Sequence, residues 1–595
     1  MLTATARLPR VALAAAVLIA VQLVIRAVLA FGGYFYWDDL ILIGKAGTEV
    51  PLSPSYLFDD HDGHVMPAAF LVAGAIIRLA PLNWTGPALS LVVLQLLVSV
   101  ALLRALYVIL GWRPVLLIPL TFALFTPLAL PGFAWWAAAL NSLPMLAALA
   151  WVCADAVLLD RTGNQRYAVT GVLAYLGGLL FFEKAAVIPF VAFAVVTLLR
   201  HVRGDSGVVR AAWRAGMRLW VASLALTAGW TALYLSVVDQ KRWSSDLGMT
   251  WGLLRRSVTR GIVPGLAGGP WHWERWAPSS PWATPPPLVM TLGWLVLVGV
   301  LAVSLIRKQR IGLVWLTAAG YAVACQVPIY LMRSSRFTAL ELAQTLRYLP
   351  DLVVVLALLA AVAFTAPNRS SSRWLDASAK RAVVTTGLAL LFLGSSVYST
   401  ATFLTSWRDN PARPYLENAR ASLAAARADS DAPLLDQEVD PMVLQRVVWP
   451  ENLASHMFAL LRDRPEFDSA TTKLRMLDSS GRLVDAQVTW VRTIVRGPQP
   501  QCGYFVQPDT PVWLILDGPL LPADWTVELN YLANTNGSIT LSLSDGPKVK
   551  VPVRPGLNKV FARLPGAGGA IAVHVNTTAL SLCIASGPVG FLAPV

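Results

Sequence analysis

Tyr36-Trp37-Asp38-Asp39 places two adjacent carboxyl groups directly after the first long apolar run. A carboxylate prefers bulk water and a tryptophan prefers the headgroup zone, so an acidic pair beside Trp37 marks the rim of a wet cavity at a membrane surface. A carboxyl partly withdrawn from water titrates nearer neutrality and can take a proton from a hydroxyl, with Asp38 the first choice as base and Asp39 the second. The same pair also suits a helix cap or the start of a solvated loop. A second set of residues is cationic. Arg347 offers a planar fork that matches phosphate, and Tyr348 beside it adds a hydroxyl. Lys184 next to Glu183, then Arg333, Arg336 and His64, complete the candidate phosphate-binding set. Arg347 can instead snorkel to headgroups or pair with Glu341 or Asp351, and Lys184 can pair with an acid. His61, Asp62 and His64 are metal-ligand types, but three such residues within four positions do not complete a site. No metal is assigned, and a divalent cation remains an open alternative to histidine hydrogen-bonding a phosphate or a sugar. Trp135, Trp136, Trp271, Trp273 and Trp276 present flat faces on which a sugar can stack, or anchors for the interface.

The elements that hold these residues are set by composition. Of 595 residues, 56% are hydrophobic and 14% charged, and the mean hydropathy is +0.57, which identifies a polytopic membrane protein. The net charge of +14 does not signal nucleic acid, because most arginines fall in short loops between apolar runs and act as topology signals. A span needs roughly 20 apolar residues, and about eleven runs qualify. They cover about 11–30, 89–110, 115–130, 142–159, 167–182, 187–199, 219–238, 288–306, 311–331, 351–364 and 382–403. Arg7 and Arg10 before the first run, the cluster from Arg200 to Arg218, Arg307 to Arg310, and Arg369, Arg373, Lys380 and Arg381 fix the cytoplasmic side. The N-terminus is then inside and the C-terminal region outside. The bases at Arg333, Arg336 and Arg347 break this charge rule. The first run is too long for a signal-peptide core, so no cleavable leader is expected. The short segment from Met66 to Leu79 reads as a helix lying in the external interface.

Beyond Phe403 the composition changes. The expected division is a membrane domain, 1–403, with a first external loop at 32–65, and an external region, 404–595. The latter comprises a helical linker at 411–428, a mixed segment at 432–500 and a β-sandwich, jelly-roll-like, at 501–595. Period-two alternation at Trp525 to Tyr531 and Ser538 to Ser544, separated by Asn536-Gly537, predicts a hairpin. Cys502 and Cys583 both lie in the exported part and are expected to pair, tying the start of the β-region to its last strand.

The acidic pair in the first external loop, His61-Asp62-Gly63-His64-Val65-Met66-Pro67, Arg347-Tyr348-Leu349-Pro350 and the external β-region together resemble the membrane-embedded C-type (GT-C) glycosyltransferases. The resemblance covers about Arg10 to Phe403 and rests on short motifs. It implies an inverting transferase of the plasma membrane that moves a sugar, arabinose or mannose first, from a polyprenyl-phosphate donor to an envelope glycan or lipid. Asp38 or Asp39 would be the base, and the cations would hold the donor phosphate. His61 and the tryptophans would bind acceptor or sugar. The β-region looks like the carbohydrate-binding modules of actinobacterial cell-wall arabinosyl- and mannosyltransferases. A transporter or assembly scaffold is the rival from another class. A phosphoethanolamine or acyl transferase would need a nucleophile, and the sequence has no Gly-x-Ser-x-Gly motif.

Overall fold

The computed structural model describes residues 9–239, 246–369, 378–429, 432–508 and 510–595; Arg7 and Arg373 lie outside them. The chain forms two compact units. One is Met1–Leu42 with Glu49–Asn410, and the other is Ile43–Thr48 with Pro411–Val595.

The first unit is helical, and each of the eleven apolar runs forms helix. Eight helices among the described residues are long and apolar enough to cross a membrane, beginning with Arg10–Gly32, Thr85–Leu110 and Trp136–Thr162. The third run is a ninth, broken one: Pro114–Phe125 and Pro127–Ala134 meet at 43°, because Pro127 removes a helical hydrogen bond and pushes Thr126 into an extended conformation. Arg166–Phe181 and Pro350–Thr365 are shorter. At 16 residues each they rise only about 24 Å, less than a hydrocarbon core. Proline opens Pro67–Leu79, Pro287–Arg307 and Pro350–Thr365, where its missing N–H is not needed. Glycines with left-handed backbone close Trp136–Thr162 (Gly163) and Ile188–Arg203 (Gly204).

Trp136–Thr162 is the most buried of the long helices. Around it pack Thr85–Leu110, Arg166–Phe181, Ile188–Arg203 and Pro350–Thr365. Met217–Val237 and Pro287–Arg307 leave most of their apolar surface uncovered, as lipid-facing helices do. Buried polar pairs clamp the bundle. Arg104 bonds Asp155, whose other oxygen accepts from Thr170 Oγ1 at 2.6 Å, joining three helices through one carboxylate.

The second unit opens with the helix Ala412–Asp429 and continues into short strands. Its core is a nine-stranded antiparallel sheet dominated by two long strands, Val512–Ala533 and Gly556–Val575. These pair along nearly their whole length, with register shifts between Ile515 and Ala523 that bend the sheet. Leu514, Val527, Leu529, Ile539, Leu541, Val551, Leu564, Ile571 and Val573 point inward and are buried. Trp525 to Tyr531 and Ser538 to Ser544 are not a hairpin. The first pairs with Gly556–Val575, Leu582–Ile584 and Pro588–Gly590, and the second with Val549–Val553 and the far end of Gly556–Val575. The Asn536-Gly537 turn carries the chain past that strand instead of folding it back, since burial on the inner face decides which edge each segment can reach. Cys502 and Cys583 form a disulfide, and Cys583 lies on Leu582–Ile584, with two further strands after it.

Candidate active site

The site grows from the way the chain leaves its first helix. Trp37 adopts φ +44°, a left-handed turn that is uncommon for a tryptophan. It swings the backbone directly into the helix Asp38–Thr48. Asp39 anchors this turn: one carboxyl oxygen accepts the Tyr36 N–H at 2.9 Å and the other accepts the Ala137 N–H at 2.8 Å. Asp39 is wholly buried. Burial pushes its carboxyl well above the usual range, and the two N–H bonds pull it back only in part. The same turn leaves Asp38 partly exposed, with no hydrogen bond from any described residue. Withdrawal from water raises the Asp38 carboxyl to about 6, against the opposing pull of Arg347. Asp62, His64 and Arg333 also act on it through space.

Arg347 sits between two rings, 4.8 Å from the Trp135 centroid and 4.9 Å from that of Tyr348. Its Nη2 donates to the Tyr348 hydroxyl at 2.6 Å. Its Nε is buried and has no hydrogen-bond partner among the described residues, and neither has the buried indole N–H of Trp135. A guanidinium held by aromatic faces keeps its charge and its donors for another acceptor. The floor beneath it requires glycine. A Cβ on Gly132 would meet Pro350 Cγ at 2.7 Å and the Arg347 carbonyl oxygen at 3.3 Å.

The histidine segment is a tight turn. His61 and His64 exchange backbone hydrogen bonds at 3.1 and 3.0 Å, and Asp62 and Gly63 both have positive φ, a type I′ arrangement. Tyr234 donates its hydroxyl to the Gly63 carbonyl at 2.9 Å. His64 Nδ1 lies 2.7 Å from Glu183 Oε1. Burial opposes the His64 charge, but Glu183 outweighs it and raises the imidazole above its ordinary value. Arg333 bonds Asp62 at 2.9 Å and holds that carboxylate below its usual range in spite of burial. His64 and Asp62 are therefore already engaged within the protein.

Several candidates have other work. Lys184 does not present a free charge: its Nζ lies 2.8 Å from Asp351 Oδ1 and 3.1 Å from the Tyr348 carbonyl oxygen, so it braces the Arg347 loop from below. Tyr321 donates to the other Asp351 oxygen at 2.7 Å. Arg336 is exposed and stacks on Phe337. Trp136 is fully buried and donates to Ser90 Oγ at 2.9 Å. Trp271 and Trp273 donate to Ser395 Oγ and the Ser399 carbonyl on helix Ser378–Arg408. Trp136 and Trp273 thus have no face for a sugar, and Trp271 is held as a packing residue. Trp135 is as buried as Trp273, with Tyr36 against it at 4.9 Å and the Arg347 guanidinium over its ring, whereas Trp276 is exposed and meets Trp282 edge-on. Tyr36, whose hydroxyl donates to the Pro278 carbonyl at 2.9 Å, was not singled out by sequence. Asp351 was seen only as a rival partner for Arg347. The tyrosine beside the acidic pair and the acid at a proline-started helix were the available signals.

No family model matches the chain, and no curated protein does. Among solved structures, ArnT from Cupriavidus metallidurans bound to undecaprenyl phosphate is similar at 15% identity, over 76% of this chain and 85% of its own, with a TM-score of 0.43. The arabinofuranosyltransferase AftD from Mycobacteria is similar at 13% identity, over 97% of this chain and 62% of its own, with a TM-score of 0.33. The Archaeoglobus fulgidus oligosaccharyltransferase in complex with Zn and sulfate is similar at 11% identity, over 69% of this chain and 55% of its own, also with a TM-score of 0.33.

Proposed function

We propose that this chain is an inverting membrane glycosyltransferase of the GT-C type. It moves a sugar, arabinose or mannose, from a polyprenyl-phosphate donor to a hydroxyl of an envelope glycan or lipid on the external side of the plasma membrane. The observation that supports this reading is the pairing of opposites: an Asp38 carboxyl raised to about 6, within electrostatic reach of Arg347, where neither the carboxyl nor the Arg347 Nε has a hydrogen-bond partner among the described residues. Asp38 takes the acceptor hydroxyl proton as the acceptor oxygen attacks the anomeric carbon from the face opposite the phosphate. The bond from that carbon to the phosphate oxygen breaks, the configuration inverts, and the lipid phosphate leaves with the electron pair.

Charge grows on the phosphate during this step, so a fixed guanidinium in a water-poor pocket stabilises the transition state more than the bound donor. Tyr348 and His64 supply further donors, and Asp39 positions Asp38. Trp135 stacks on Arg347 and orients its guanidinium. In the second unit Trp490 and Trp513 are largely exposed, and they support a role for its surface in holding the acceptor glycan.

The test uses the purified chain in lipid nanodiscs, undecaprenyl phosphate as binding probe and a labelled polyprenyl-phosphate sugar as donor. Asp38→Asn is expected to bind the probe as wild type does and to transfer at least ~10²-fold more slowly. Full transfer by the Asp38→Asn, Asp39→Asn double variant would sink the mechanism.

A further inference from the structure

We propose a second binding site, inside the helical bundle, that takes a single small anion of halide size. Arg26 lies in the C-terminal half of helix Arg10–Gly32 and is 3% exposed, yet none of its nitrogens has a hydrogen-bond or ion-pair partner among the described residues, and its Nη1 is fully buried. Its one close neighbour of note is the Phe133 ring, 4.8 Å away. Gln22, one helical turn earlier on the same face, also has a buried, unpartnered Nε2. Its Oε1 accepts from Ser99 Oγ at 3.2 Å, and Gln95 Nε2 reaches the same Ser99 oxygen at 3.3 Å.

Arg26, Gln95 and Ser99 line a cavity of about 30 Å³ with Gly132, Phe133 and Pro350. Among the described residues, the unmet side-chain group lining it is the Arg26 guanidinium, which is positive and has no carboxylate partner. A cation in an apolar interior is strongly unfavourable unless a counter-charge accompanies it. One water takes about the same volume in the liquid, and it satisfies a donor but cannot neutralise the charge. A monatomic anion does both, whereas a lipid phosphate with its oxygens exceeds the space.

The experiment compares the full chain in nanodiscs in chloride, bromide and gluconate at equal ionic strength, and crystals grown in bromide. The expected result is a saturable rise of Tm with chloride or bromide but not gluconate, its loss in Arg26→Met, and an anomalous bromide peak beside the Arg26 guanidinium. Equal Tm in all three salts, or a halide effect that survives in Arg26→Met, would each overturn the proposal. If Arg26→Met does not fold, the wild-type bromide map decides: a peak at Arg26 supports the site, and water-level density there rejects it.

Discussion

The Asp39 carboxyl accepts the backbone N–H of Ala137, 98 positions away in the chain, at 2.8 Å. With the Tyr36 N–H on its other oxygen, both Asp39 oxygens are engaged, and Asp38 is the member of the pair with no hydrogen bond from any described residue.

The two aspartates should therefore fail in different ways. Asp39→Asn can satisfy only one of the two N–H groups and turns a donor toward the other, which costs about 1–3 kcal/mol for the unmet group. A lower Tm, with activity falling in step with the folded fraction, is expected. Asp38→Asn should fold normally and lose turnover, so Tm and kcat measured side by side distinguish the pair.

Asp38 also predicts a pH dependence with two opposite signs. As a base it must be ionised, so kcat/KM should fall as pH drops through about 6, and this acid limb should vanish from the residual activity of Asp38→Asn. For stability the folded-state value lies above the unfolded one. The group's contribution is favourable at low pH and is lost as pH rises through about 6, where burying the ionised form becomes unfavourable. Asp38→Asn should raise Tm relative to wild type above pH 6 and lose that advantage at pH 4; a Tm difference that grows toward acid would contradict the assignment.

Arg347 is expected to bind phosphate in the ground state and more strongly in the transition state. Arg347→Ala should weaken undecaprenyl phosphate binding and also lower kcat, while Arg347→Lys should recover part of the binding but not the stacking on Trp135. Binding titrations that show no change in either variant would remove Arg347 from the donor site.

Lys184 should behave as a brace. With Asp351 2% exposed, Lys184→Met leaves a buried acid without its cation, a loss of roughly 3–5 kcal/mol. Adding Asp351→Asn should restore much of the stability. A Lys184→Met variant of wild-type Tm that binds undecaprenyl phosphate poorly would instead return Lys184 to the phosphate site.

The disulfide closes a loop of 81 residues in the second unit, and opening it by Cys502→Ser should destabilise that unit by about 2–4 kcal/mol. Differential scanning calorimetry of both proteins measures this directly.

The eleven apolar runs were legible because hydrophobic length survives in any one sequence. Asp38 and Arg347 stood out as candidates because their residue types contrast with apolar surroundings. Pairings between distant positions were not. Lys184 and Asp351 are 167 residues apart, and nothing local tells a braced lysine from a free one. The tryptophans were ambiguous for a related reason: an indole N–H that finds Ser90 or Ser399 looks the same in sequence as one that faces a ligand. The supposed hairpin failed because alternation specifies a strand's faces and leaves open which neighbour pairs with its edge.

Gly132 sets how closely the Arg347 loop packs. The distance from a Cβ there to the proline ring, 2.7 Å, is shorter than carbon atoms tolerate, so even a methyl group would push the Arg347 loop outward. A hydrogen atom in that one place is what lets the guanidinium ride low against Trp135. Alanine at 132 would act as a shim, retuning how far the cation reaches without touching any charged residue.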